Sequence, residues 1–147
     1  MAVKIEHRTR TGCPVACSMD ILGDHWTLLV IRNLLFFGVH EFKDMLLMPE
    51  KISTSVLTER LKMLEREGLV AQIPHPESAR RKLYYLTDMG KDLIHVLTPL
   101  VYWADSYLAH YLDIPTEKRN LMDQGQEAFK AAMLAELQRW EAEFLTG

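Results

Sequence analysis

The chain has 147 residues, 48% hydrophobic and 25% charged, which suits one domain with a real core. No apolar run is long enough to cross a bilayer and no signal peptide opens the chain, so the expectation is a cytoplasmic protein without a membrane contact. The formal net charge is −3, so a polyanionic partner would need a local basic face, and two cysteines, Cys13 and Cys17, cannot make a disulfide framework.

Residues 1 to 12 are polar and basic, with Lys4, His7, Arg8 and Arg10 and no apolar period. They read as a mobile arm, serving either as a solvated tail or as an extra nucleic-acid contact. Cys13 to Leu22 predicts a short helix with Val15, Met19 and Leu22 on its inner side. Asp24 can cap a second helix from His25 to about Phe37, ended by Gly38. Glu41 to Leu47 predicts a third, closed by Pro49. Ser53 then caps a helix in which Leu57, Leu61 and Leu64 form the apolar stripe. Its opposite face carries Ser55, Thr58, Glu59, Lys62 and Arg66, and Gly68 follows its last turn. Leu69 to Ile73 and Leu83 to Leu86 are short strand-like runs around a proline-rich loop holding Arg80, Arg81 and Lys82.

Thr87 is expected to cap a long helix to about Leu112, kinked at Pro99. Its apolar residues extend beyond one stripe, which implies burial on two sides and hence a partner subunit. A last helix from Pro115 or Thr116 to about Phe144 places Met122, Phe129, Met133, Leu137, Trp140 and Phe144 on one face. The expected division is a 1–12 arm, a 13–112 domain with its dimerisation helix, and a 113–147 helix serving as dimer surface.

A helix, a tight stop and a hairpin with a basic tip form the layout of a winged helix-turn-helix. The expected fold is mainly α with a small β-hairpin wing (α+β), dimerising through its N- and C-terminal helices. Double-stranded DNA is the partner this layout favours. Ser53, Thr54, Ser55, Thr58 and Lys62 would face the major groove, and Arg80, Arg81 and Lys82 would hold the backbone. The expected dimer interface is Leu100, Trp103, Tyr107, Met122, Phe129, Trp140 and Phe144.

The run from Cys13-Pro14 through Trp26-Thr27-Leu28-Leu29, Leu57-Thr58-Glu59-Arg60-Leu61, Gly68-Leu69-Val70, Tyr84-Tyr85-Leu86-Thr87 and Gly90 to Trp103 resembles the HxlR family of bacterial transcriptional regulators. The resemblance covers about Cys13 to Leu112. It implies a homodimer on a palindromic operator, with some members sensing electrophiles or oxidants through the N-terminal cysteine. Two positions depart from the family pattern. Asp24-His25 stands where Gly-Lys is common, and Glu41 stands where Arg is common. A carboxylate at position 41 makes no favourable phosphate contact.

Cys13 is therefore a candidate redox sensor. The helix N-terminus and the basic residues His7, Arg8 and Arg10 would favour its thiolate. The alternative is a small buried hydrophobe, the better reading for Cys17. The six histidines form no HExxH, and no Cys-x-x-Cys, Walker loop, GxGxxG or GxSxG occurs. No metal, no cofactor and no catalysis are expected. Two other readings stay open: a MarR-like regulator sensing a small aromatic ligand, and a winged-helix module that binds protein.

Overall fold

The computed structural model describes residues 6–145. Its order is α1 (Pro14–Leu22), α2 (Thr27–Leu35), α3 (Phe42–Leu46), α4 (Thr54–Arg66), β1 (Val70–His75), β2 (Ser78–Leu86), α5 (Asp88–Lys91), α6 (Ile94–Tyr107), a 3₁₀ turn (Ala109–Tyr111), α7 (Thr116–Asp123) and α8 (Gln126–Phe144). The two strands pair antiparallel, Val70 opposite Leu86 and Ile73 opposite Leu83.

The expected starts and stops have the expected causes. The Asp24 carboxylate accepts from the N–H groups of Trp26 and Thr27 and from the Thr27 hydroxyl, starting α2. Burial pushes the Asp24 carboxyl up, but these bonds and the Arg60 guanidinium outweigh it and hold the group below its ordinary range. Ser53 Oγ accepts from Val56 N–H and starts α4. Gly68 turns the chain out of α4 with φ +84°, a conformation that favours glycine. Gly90 permits a close approach: a Cβ there would lie 2.2 Å from the Leu69 carbonyl oxygen.

One core joins the helix-turn-helix to the C-terminal helices. Ile31, Leu34, Met45, Leu57, Leu61 and Leu64 are at most 2% exposed, and Met122, Phe129, Met133 and Leu137 belong to the same cluster. Phe129 sits edge-on to Phe36 and Tyr102, at 5.4 and 6.4 Å between ring centroids. Trp140 stacks on His40 at 3.6 Å, which ties α8 to the start of α3.

Four expectations are corrected. The helix after Thr87 is not continuous to Leu112: a short α5 precedes α6, and a 3₁₀ turn follows it. The last helix is broken into α7 and α8 at Gly125, whose φ of +103° cannot continue a helix. Met122 and Phe129 are not dimer surface, because the chain buries them in its own core, at 4% and 3% exposure. Trp140 and Phe144, by contrast, stack on each other but keep part of each ring exposed, so the expectation of a dimer surface is not overturned at these two. The inner side of α1 is also different. Val15 and Met19 are exposed, while Asp20 is buried and accepts from the backbone N–H groups of His7 and Arg8.

Of the expected arm, residues 1–5, with Lys4, lie outside the described residues. The following stretch is anchored by Asp20 and by Arg8, which donates to Glu67 at 3.1 Å.

Candidate nucleic-acid interface

The helix-turn-helix is α3, the turn through Met48–Ile52, and α4. Arg32 of α2 clasps Glu50 of that turn with two bonds of 2.9 Å. The apolar stripe of α4 locks its rotation: Leu57, Leu61 and Leu64 face the core at 2% exposure or less. Each such burial stabilises by roughly 1.5–3 kcal/mol. The opposite face is thereby forced outward. Ser53, Thr54, Ser55 and Lys62 are exposed and Thr58 is half-buried. The hydroxyls are already in use: Ser53 caps the helix, and Thr58 Oγ1 donates to the Thr54 carbonyl at 2.8 Å. Each keeps hydrogen-bonding capacity for an incoming edge or phosphate.

The wing differs from the expected basic loop. The turn is only Pro76 and Glu77, and Arg80, Arg81 and Lys82 lie on β2. Alternation along a strand then separates them. Arg80 and Lys82 share one face and are exposed. Arg81 falls on the other, with Leu83, and meets Glu41 at the start of α3. Its Nη2 donates to Glu41 Oε1 at 2.5 Å and its Nε to Oε2 at 3.1 Å, with Glu77 3.5 Å from Nη1. The Arg81 guanidinium holds the Glu41 carboxyl below the ordinary range. His75 Nε2 lies 3.6 Å from the same carboxylate. The acid at position 41 thus takes up the charge of one wing arginine. Sequence reasoning flagged Glu41 as a departure, but the strand register that pairs it with Arg81 needed the hairpin's true length.

Cys13 is exposed at the N-cap of α1, Pro14 follows it in the first turn, and its N–H donates to Thr11 Oγ1 at 3.2 Å. Cys17 is half-buried one turn on, and both thiols are free. The charge of Arg8 is committed to Glu67 and Asp20. Leu100, Trp103 and Tyr107 of α6 are 46%, 56% and 70% exposed.

The family model described as HxlR-like helix-turn-helix matches residues 21–112, from the end of α1 through α6 and the turn after it. The chain belongs to this family. A helix-turn-helix transcriptional regulator of Mycobacterium tuberculosis is 37% identical over 74% of this chain and 67% of its own length. The regulator YodB of Bacillus subtilis is 34% identical over 66% of this chain and 87% of its own. The solved structure of reduced YodB superposes with a TM-score of 0.53 at 32% identity, covering 65% of this chain and 93% of YodB. A quinone-bound YodB superposes with the same score at 30% identity, over 65% of this chain and all of that one. Fold, hairpin and relatives agree: this chain is an HxlR-type winged helix-turn-helix transcriptional regulator. Among the described residues no helix is long and apolar enough to cross a membrane.

Proposed function

We propose that this HxlR-type regulator acts in the cytoplasm, without catalysis, as a homodimer on a palindromic operator. Ser53, Thr54, Ser55, Thr58 and Lys62 lie in the major groove, and Arg80 and Lys82 rest on the flanking backbone. The observations that carry the reading are two exposed cations on β2, Arg80 and Lys82, and a hydroxyl-rich outer face of α4 whose rotation the core fixes. Small side chains let the helix approach the groove, while the cations contribute sequence-independent affinity by releasing counterions. Arg81 joins the phosphate contacts only when DNA outcompetes Glu41. The exposed Leu100, Trp103 and Tyr107 form the dimer surface, so half-sites stand roughly 34 Å or a multiple apart. Selection of bound sequences from a random DNA pool, followed by sedimentation of the complex, tests this. A palindromic consensus bound by two chains is expected. Binding with no sequence preference would overturn the operator, and a monomer on DNA would overturn the dimer.

The second reading concerns Cys13, supported by its exposure at the start of α1 and by the likeness to a regulator solved with quinone bound. Modification of this thiol by an electrophile or oxidant alters operator affinity. Cys13→Ser then binds operator normally but ignores diamide, while Cys17→Ser responds like the parent. Operator affinity before and after diamide, with mass spectrometry of the thiol, decides it. Unchanged affinity with Cys13 demonstrably modified rules the switch out.

A further inference from the structure

A cleft of about 540 Å³ opens between α2, α6 and the segment leading into α7, a size that small organic ligands fill. Its walls are apolar: Leu29 of α2 and Phe36 just past its end, Leu97 and Val101 of α6, Ile114, and Phe129 of α8. Two cations reach into this lining, Arg32 and Lys118. They are in different states. Arg32 gives two bonds to the Glu50 carboxylate, so its charge is matched. Lys118 has no carboxylate within ion-pair distance among the described residues. Its Nζ donates to the Phe36 carbonyl at 3.0 Å and lies 3.2 Å from Met133 Sδ. An ammonium has three donors and a thioether is a weak acceptor, so this group keeps hydrogen-bonding capacity for a further, stronger acceptor. Burial pushes the Lys118 amine down, opposed only through space by Glu136 and Glu117. The exposed Phe37 ring stands at the mouth, 4.7 Å from Arg32 Cζ and 6.0 Å from Lys118 Nζ. Asp113, also in the lining, is exposed.

We propose that this cleft binds an amphipathic organic monoanion, with its apolar body between α2 and α6 and its carboxylate on Lys118 Nζ. A half-buried ammonium at the edge of an apolar cavity supplies the charge-assisted bond that holds such a head group, while the walls take the chain or ring. Ile114, Lys118 and Phe129 lie beyond residues 21–112, so the cation and part of one wall come from this chain's own C-terminal segment, while α2 and α6 of the shared segment supply the rest. The proposal requires neither the DNA reading nor Cys13. Leu100 and Ala104 place the cleft against the exposed face of α6, so a second copy of the chain is the competing occupant.

Calorimetry on the full-length protein with decanoate and its neutral analogue decanol tests the site. Decanoate is expected to bind one per chain and at least about tenfold more tightly than decanol, the effect of one charge-assisted bond. Lys118→Gln should erase that preference and Lys118→Arg should keep it. Ala104→Phe, which fills the cleft from α6, should abolish binding of both while leaving thermal unfolding of the subunit intact. Equal affinity for decanoate and decanol, or a decanoate preference that survives Lys118→Gln, would overturn the proposal. Should Lys118→Gln fail to fold, Ala104→Phe decides, and decanoate binding that persists in it overturns the site. Failure of decanoate to bind, with dispersal of the dimer by Ala104→Phe, would assign the cleft to a second copy.

Discussion

Helices α4 and α6 are nearly equal in length, 13 and 14 residues, and both bury one side in the same core. Their outer faces differ. The outer face of α4 is Ser55, Thr58, Glu59, Lys62 and Arg66; that of α6 is Leu100, Trp103 and Tyr107. Burial sets the inner faces by the same rule, so the outer face alone distinguishes what each helix can meet. A polar face with small side chains suits a wet, charged groove. Three large exposed apolar side chains in one helix suit a dry surface, because a monomer gains nothing by leaving them in water.

The largest effect should come from breaking the inner face. Leu57→Ala should cost about 2–5 kcal/mol of folding stability, since Leu57 is fully buried and the cavity cannot collapse freely. Thermal unfolding measures it, and a loss below 1 kcal/mol would mean that α4 is not locked by its stripe. Trp103→Glu should leave the unfolding of the subunit little changed but weaken self-association by about a hundredfold or more, the cost of an aromatic anchor at each half of a two-fold contact. Sedimentation over a dilution series reads this. Unchanged association would remove α6 from the interface.

The wing sharpens the comparison on the polar side. Lys82→Ala should lower the slope of log affinity against log salt by about 1. Arg81→Ala should lower it less, because Glu41 already holds that guanidinium. Glu41→Gln should tighten binding to random and operator DNA alike and restore the full effect of Arg81→Ala. Equal slopes for Arg81→Ala in both backgrounds would show that Glu41 does not restrain the arginine.

The smallest expected effect is a pH dependence at the joint between the halves. Burial pushes His40 below its ordinary value, outweighing the bond of its Nδ1 to the Tyr84 carbonyl at 2.8 Å and the attraction of Glu141. Its Nε2 is buried without a hydrogen-bond partner. A depressed folded pKa means the unfolded chain binds the proton more readily. Stability is therefore complete above about pH 6.5 and lost as the pH falls through that value toward the lowered one. Urea unfolding at pH 7.5 and 5.5 should show this loss in the parent and a smaller one in His40→Phe, which keeps the stack on Trp140. Parallel curves for both proteins would acquit His40.

By itself the sequence determined the helix-turn-helix. The Asp24 and Ser53 caps, the Leu57–Leu61–Leu64 stripe, the Gly68 stop and the hairpin are local signals, written within a few residues of where they act. The exposed faces of α4 and α6 follow from the same periodicity. Tertiary structure alone decided the rest. Met122 and Phe129 read as a surface stripe because a helix pattern shows which side is apolar but not what covers it. The break at Gly125 folds α8 back onto α2 and α6, so the cover is the chain itself. The wing followed the same logic: Arg80, Arg81 and Lys82 are adjacent in sequence, yet a strand two residues per repeat sends the middle one to Glu41, forty residues away. The Lys118 cleft had no sequence signal either, since a lysine that lacks a counter-charge can be recognised only once its neighbours are in place.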